Sequence, residues 1–178
     1  IASQYLDYLN DQKMFLSSLP IELRQQVLLR LYQSDYGWNQ IDRWQDSMPK
    51  VNIDMGRKDI KQLIKKSRLY ISTYNATTYL ESLTWNVPTI MFWNPKYWEL
   101  NEQAKPYFEL LEKVGIFHVT PQSAAKKMIE IWDDVDGWWY SNEIQKARKV
   151  FIGQYARLPE EPIHLLQNIL MHDIDLND

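Results

Sequence analysis

The sequence has 178 residues, a length that suits one domain or one lobe of a larger protein. It carries 20 Lys and Arg against 23 Asp and Glu, so the formal net charge is −3 at pH 7. This balance argues against a strongly basic nucleic-acid binder and against a polybasic membrane module. The absence of cysteine excludes a disulfide scaffold, a thiolate zinc site and a cysteine nucleophile.

Glycine is scarce and aromatic residues are abundant. Only 5 Gly occur, against 8 Trp and 11 Tyr. A nucleotide site in this chain must therefore use residues other than a glycine-rich phosphate loop. No signal-peptide pattern or apolar run of ~18 residues is present, which predicts a protein without a transmembrane segment, located in the cytoplasm. The chain begins at Ile1 rather than Met, and we expect a piece of a longer or processed protein.

Strand and helix patterns alternate along the chain. Short apolar runs predict strands at residues 27–32, 51–54, 69–72, 89–93 and 116–119. Helical spacing of apolar residues predicts helices at 5–16, 57–67, 75–85, 97–114, 122–134, 141–155 and 161–171. Thr120 followed by Pro121 is typical of a helix N-terminus.

This alternation predicts an α/β fold of the Rossmann-like, three-layer kind. About five parallel strands are expected to lie between helices on both faces, followed by a helical C-terminus. The predicted lobe spans residues 1–157, and residues 158–178 form a C-terminal helix and tail. We expect the first strand of such a lobe to be missing from this sequence, because Ile1 leads almost directly into a helix.

Polar residues cluster where the strand at 69–72 meets the next helix. In open parallel sheets, ligands bind beyond the carboxyl ends of the strands, beside helix N-termini. Thr73, Asn75, Thr77 and Thr78 lie at this junction and are candidates for binding phosphate. Glu81 follows one turn later, where a carboxylate accepts both hydroxyls of a ribose. The alternative is that Asn75 and Thr77 only cap the helix and Glu81 is a solvated acid.

The junction resembles the donor-binding element of GT-B glycosyltransferases. In those enzymes a loop of small and hydroxyl residues opens a helix with an inward Glu, and a turn containing Pro leads to the next strand. The matching stretches are residues 75–83 and 86–90. A family of bacterial transferases encoded in O-antigen and surface-polysaccharide loci is more similar still, through the segments 30–32, 35–38, 75–83, 92–96 and 115–118.

The resemblance covers roughly residues 5–157 and implies the C-terminal, donor-binding lobe of a glycosyltransferase for surface polysaccharide. It implies a nucleotide-sugar substrate, no cofactor, an N-terminal acceptor-binding lobe in the same protein, and leaves open peripheral membrane association of that protein. By position, Thr77 and Thr78 would contact the donor phosphate, Glu81 the ribose, and Arg30 is a candidate phosphate cation. The catalytic base is expected in the N-terminal lobe, so this chain alone is expected to be inactive.

Two departures from the GT-B pattern support an alternative function. Asn75-Ala76 replaces the Gly-Gly pair of many GT-B enzymes, which restricts the approach of the backbone to a diphosphate. The expected absence of the first strand is the second departure. A binding or assembly domain that kept the fold and lost the site remains an alternative, as does a lobe that transfers a phosphorylated polyol from a CDP donor.

Aromatic and polar residues after other strands are further candidates. Tyr36 and Trp38 are expected either to stack on a base or sugar or to pack in the core. Asn94 and Lys96 are expected to contact donor groups or to form a turn. The basic residues Arg43, Lys50 and 65–68 are expected to form a solvated surface rather than a phosphate patch.

No metal site is expected from the sequence. The three histidines, His118, His164 and His172, have no metal-ligand spacing, and His118 is expected to be a structural, hydrogen-bonded residue. The acidic residues 173–178 resemble the start of a calcium loop but lack its Gly and its bidentate Glu.

Overall fold

The structure is a computed structural model and describes residues 4–157 and 161–174. Its strands are β1 (Leu28–Arg30), β2 (Asn52–Asp54), β3 (Tyr70–Ser72), β4 (Thr89–Phe92) and β5 (Phe117–His118). Its helices are α1 (Tyr5–Ser17), α2 (Ile21–Arg24), α3 (Gln40–Ser47), α4 (Ile60–Lys66), α5 (Thr77–Thr84), α6 (Lys105–Lys113), α7 (Pro121–Ile131), α8 (Val135–Trp139), α9 (Asn142–Tyr155) and α10 (Pro162–Ile174).

All the strand pairs are parallel, and the predicted α/β class is confirmed. The strands form two sheets, however, and not one sheet of five. β1 pairs with β2, in the register Leu29 to Ile53. β4 lies between β3 and β5, in the registers Ile71 to Ile90 and Met91 to Phe117.

Side-chain packing joins the two sheets where backbone hydrogen bonds do not. Leu29 of β1, Ile53 of β2 and Ile71 of β3 all pack against one hydrophobic cluster. Strands of two to four residues make few ladder hydrogen bonds each, so burial of apolar surface decides how they assemble. The sequence shows the apolar runs that supply this burial but not which strands are close enough to pair.

Helices cover both faces of the sheet at β4, whose residues are all buried. Ile90 and Phe92 enter a cluster with side chains of α1, α2, α3 and α7. Met91 enters a second cluster with side chains of α5, α6 and α9. Because successive side chains of a strand point to opposite faces, β4 lies between two helical layers, as its continuous apolar run predicts.

Several predicted helix boundaries shift for local reasons. The helix predicted at 97–114 begins at Lys105, because Pro106 fits the first turn of a helix but not its interior. Thr120 is the N-cap of α7, as predicted, and its hydroxyl accepts a hydrogen bond from the Ser123 amide at 3.3 Å. α3 and α8 were not predicted, since both are short and aromatic-rich.

Candidate functional site

The first turn of α5 follows the carboxyl end of β3 and has no side-chain cap. Ala76 is the N-cap residue, in extended conformation, and no side chain accepts a hydrogen bond from the first amides of the helix. The sequence alternative in which Asn75 or Thr77 caps this helix is therefore wrong. The leading N–H groups of α5 retain their capacity to bind an acceptor.

Two of the four predicted phosphate-binding residues are engaged within the chain. The Thr73 hydroxyl lies 3.0 Å from the Tyr8 hydroxyl and accepts a hydrogen bond from Gln12 Nε2 at 2.8 Å. The Asn75 side-chain oxygen accepts a hydrogen bond from the Tyr79 hydroxyl at 3.1 Å. Thr73 thus links α1 to the end of β3 through hydrogen bonds. Asn75 stabilises the start of α5 through its bond to Tyr79.

The other residues of the junction are accessible. Thr77 is exposed, Thr78 is half-buried, and Glu81 is exposed on the second turn of α5. Residues three and four apart are neighbours on a helix surface, so Glu81 lies beside Thr77 and Thr78. The structure thus presents two hydroxyls, a carboxylate and an uncapped helix N-terminus together.

Arg30 ends β1 and is held by three acceptors from one neighbouring segment. Its guanidinium pairs with Asp54 at 2.7 Å and donates to the carbonyls of Lys58 at 2.8 Å and Gly56 at 3.3 Å. Asp54 is buried, whereas the Arg30 side chain is 28% exposed. Arg30 therefore neutralises a buried carboxylate and orders the turn after β2, while part of its guanidinium remains at the surface.

Tyr70 is the first residue of β3 and is half-buried. Burial raises the pKa of Tyr70 to about 12. Its phenol therefore stays protonated at neutral pH.

The aromatic candidates after β1 have different environments. Trp38 is half-buried and stacks on Tyr5 of α1, with 4.3 Å between ring centroids. Tyr36 is 68% exposed and stacks on Tyr32, with 5.8 Å between ring centroids. Trp38 is thus largely occupied by packing, and the Tyr36 ring is accessible.

The residues after β4 form a filled corner. The Asn94 side chain accepts a hydrogen bond from the Lys96 amide at 3.0 Å, which is the geometry of a turn. A cavity of about 10 Å³ lies beside Tyr8, Trp93 and Trp98, enough for about one water molecule. Lys96 is exposed. These contacts therefore support a turn at Asn94 rather than a contact with the donor.

Sequence reasoning missed Tyr8 and Gln12 as neighbours of the site. Tyr8 and Gln12 lie one helical turn apart on α1, and both reach Thr73. Their spacing of four indicates a shared helix face, but nothing in the sequence shows that this face meets the end of β3.

His118 is hydrogen-bonded, as expected for a structural histidine. Its Nε2 lies 3.1 Å from the Gly115 carbonyl, and burial lowers the pKa of the imidazole below its ordinary value. His164 is exposed on α10, and the side chain of His172 and the acidic residues from 173 onward lie outside the described side chains. Across the part of the chain that the structure describes, His, Asp and Glu form no group of three that could hold a metal ion.

The fold and the junction define a mixed α/β protein with an accessible helix N-terminus at the carboxyl end of a parallel strand. Residues 1–170 match the sequence model of the LIC12162 family transferases, and the chain belongs to this family of transferases. No curated protein and no solved structure matches the chain significantly. Within residues 4–157 and 161–174, no helix has both the length and the apolar character needed to cross a bilayer.

Proposed function

We propose that this chain is the donor-binding half of a cytoplasmic glycosyltransferase and binds a nucleotide-sugar for bacterial surface-polysaccharide synthesis. Membership of a transferase family supports group transfer as the general activity. The parallel strands and covering helices support a Rossmann-like lobe, whose ligands bind at the carboxyl ends of the strands. An N-terminal lobe of the same protein would hold the acceptor and supply the catalytic base.

The observation that carries the proposal is Ala76 at the N-cap of α5. Alanine is a poor N-cap, and a Ser, Thr, Asp or Asn in its place stabilises a helix by about 0.5–2 kcal/mol. The chain uses such caps at Thr120 of α7 and Ser141 of α9, whereas α6 starts at Ala104 without one, and α5 differs from α6 in following a strand end directly. Leaving α5 uncapped at the strand end keeps its amides and the positive end of its dipole available for a phosphate.

The side chains around this turn would bind different parts of the nucleotide-sugar donor. Thr77 and Thr78 would donate hydrogen bonds to the phosphate that the α5 amides hold. Glu81, one turn further on, would accept hydrogen bonds from the ribose hydroxyls. Arg30 would take part only through the exposed part of its guanidinium, as a hydrogen-bond donor, because its charge is already paired with Asp54.

Calorimetric titration of the 178-residue chain with CMP-, UDP- and GDP-sugars tests the proposal. We expect one of these donors to bind, and Glu81→Ala to weaken that binding about tenfold, because about 1.4 kcal/mol of ribose hydrogen bonding is lost. Glu109→Ala, an exposed acid on α6, is the matched control and should leave the affinity unchanged.

A pair of caps at position 76 tests the helix N-terminus directly. Ala76→Asp should raise the free energy of unfolding by about 0.5–1 kcal/mol and abolish donor binding, since a carboxylate would occupy the anion position. Ala76→Ser should stabilise similarly and weaken binding less. Failure of every donor to bind, or binding that neither Ala76→Asp nor Glu81→Ala disturbs, would overturn the proposal.

The internal engagement of Thr73 and Asn75 favours the second candidate, a binding or assembly domain without catalysis. Both side chains complete hydrogen bonds that stabilise the fold. This candidate predicts no donor binding by the chain. A lobe for CDP-polyol transfer would instead bind the CDP donor, and analysis of the product formed by the full-length protein separates it from a glycosyltransferase.

A further inference from the structure

A cavity of about 190 Å³ opens beyond the carboxyl ends of β1 and β2. Residues following β1 and Met55, directly after β2, contribute to its lining. Pockets that enclose drug-sized ligands measure ~300–1,000 Å³. This cavity is smaller, and its size suits a single ring of a small polar ligand rather than a whole nucleotide.

An exposed aromatic ring forms one wall of the cavity. Tyr32 lines it and is 64% exposed. Tyr36, 68% exposed, stacks on Tyr32 with an interplanar angle of 20° and so supports its ring. The stacked pair presents an aromatic face at a strand end, and such a face packs well against the C–H face of a sugar ring.

The backbone around these rings is strained. Tyr36 has φ of 53° and Asn39 has φ of 50°, with Gly37 at 78° between them. The left-handed region is unfavourable for a bulky residue such as tyrosine. Backbone outliers of this kind concentrate where a protein positions ligand-binding groups.

The polar lining of the cavity has no positive charge. Its polar side chains are amides and carboxylates: Gln33, Asp35, Asn39, Gln40 and Asp42. The Asp35 carboxylate accepts hydrogen bonds from the backbone N–H groups of Asn39 and Gln40 at 2.9 and 2.8 Å. The Asp42 carboxylate is exposed. Amides and carboxylates bind hydroxyl groups well, and two carboxylates repel an anion.

We infer that this cavity binds a neutral, hydroxyl-rich sugar ring, with Tyr32 as its stacking surface and Asp42 and the amides as its hydrogen-bonding groups. This carbohydrate subsite is separate from the phosphate-binding turn of α5. The subsite is formed by residues after β1 and β2. The inference is therefore independent of whether α5 binds a nucleotide.

Titration of the 178-residue chain with methyl glycosides of glucose, galactose and mannose, followed by saturation-transfer and chemical-shift NMR, tests the inference. We expect at least one neutral glycoside to bind with an affinity on the order of millimolar, typical for so few buried atoms. Glucuronate and glucose 1-phosphate, which carry a negative charge, should bind about tenfold more weakly.

Variants of exposed residues localise the binding without endangering the fold. Tyr32→Ala should weaken it about tenfold and Tyr36→Ala about threefold, while Tyr32→Phe should retain it. Tyr140→Ala is the matched control, since Tyr140 is 56% exposed and follows α8. Asp42→Asn should reduce the preference for neutral sugars.

Two outcomes would overturn the inference: no neutral glycoside binds, or binding survives Tyr32→Ala unchanged. Because the neutral glycosides carry no phosphate or nucleotide, their failure to bind leaves the donor-binding proposal standing. Failure of the donor titration, in turn, leaves this subsite intact.

Discussion

Individual side chains at the strand ends either complete the fold or remain accessible. Thr73, Asn75 and Trp38 have partners within the chain. Thr77, Glu81 and Tyr36 are exposed. The types of all six residues suit ligand binding, so composition alone does not separate them. Helix α1 engages two of them, because Tyr5 stacks on Trp38 and Tyr8 and Gln12 hydrogen-bond to Thr73. The partner of Asn75 is Tyr79 of α5 itself.

His118 gives a prediction at the residue scale. Burial favours the neutral imidazole and lowers its pKa below 6.5 in the folded state, with the charge of Lys127 acting in the same direction. An unfolded histidine gains its proton near pH 6.5, so the stabilisation is present above that pH and is lost as the pH falls through the lower folded pKa. Urea unfolding between pH 7.5 and 5.5 should therefore show falling stability.

His118→Gln separates this effect from other acid-sensitive groups. Glutamine retains an N–H donor but does not titrate, so its stability should change less over the same pH range. Equal pH dependence in the two proteins would show that His118 does not contribute.

At the scale of elements, the turn between α5 and β4 depends on Asn86. Its φ is 57°, and its backbone and side-chain oxygens each accept a hydrogen bond from Trp139 Nε1 at 3.0 Å. Gln145 Nε2 donates to the same side chain at 3.0 Å. Asn86 thus ends α5 and ties it to α8 and α9, which fixes the direction in which the first turn of α5 points.

Substitutions of Asn86 measure these two contributions separately. Asn86→Ala should lower the free energy of unfolding by about 2–3 kcal/mol, since it adds a left-handed backbone cost and removes an acceptor. Asn86→Gly should cost only about 1 kcal/mol, because glycine adopts positive φ freely. Chemical denaturation of both variants checks this, and equal losses would contradict the backbone contribution.

At the scale of the whole molecule, the two hydrophobic clusters involve elements from α1 to α9. The described side chains of α10 are all exposed, including Ile163 at 74% and Met171 at 67%. The domain boundary at residue 157, predicted from the sequence, stays a prediction. The exposure of α10 allows it to be tested by truncation.

A chain ending at Arg157 should retain the unfolding temperature of the 178-residue chain within about 2 °C. The reason is that α10 buries little apolar surface, so its removal loses little hydrophobic free energy. Phe151→Ala is the contrasting variant: Phe151 is fully buried in the second cluster, and its loss should cost about 3–5 kcal/mol. A large drop on truncation would show that α10 packs on the body.

The sequence by itself determined the five strands, most of the helices, the parallel arrangement of the strands and the junction at α5. Apolar runs and helical spacing are local properties, so β4 and α9 could be read directly from them. Charge balance and the absence of cysteine likewise excluded the strongly basic and the disulfide-rich classes. The match of residues 1–170 to a transferase family agrees with the general activity that the family resemblance implied.

Only the tertiary structure decided which candidates are accessible and which strands pair. The division into two sheets, the Arg30 pairing with Asp54 and the contact of Tyr8 with Thr73 join residues 24 to 65 positions apart. Such contacts depend on how the helices pack around β4, and local patterning contains no record of that packing. The Tyr32–Tyr36 stack beside its cavity emerged in the same way, from the path of a loop that the sequence indicated only as a turn.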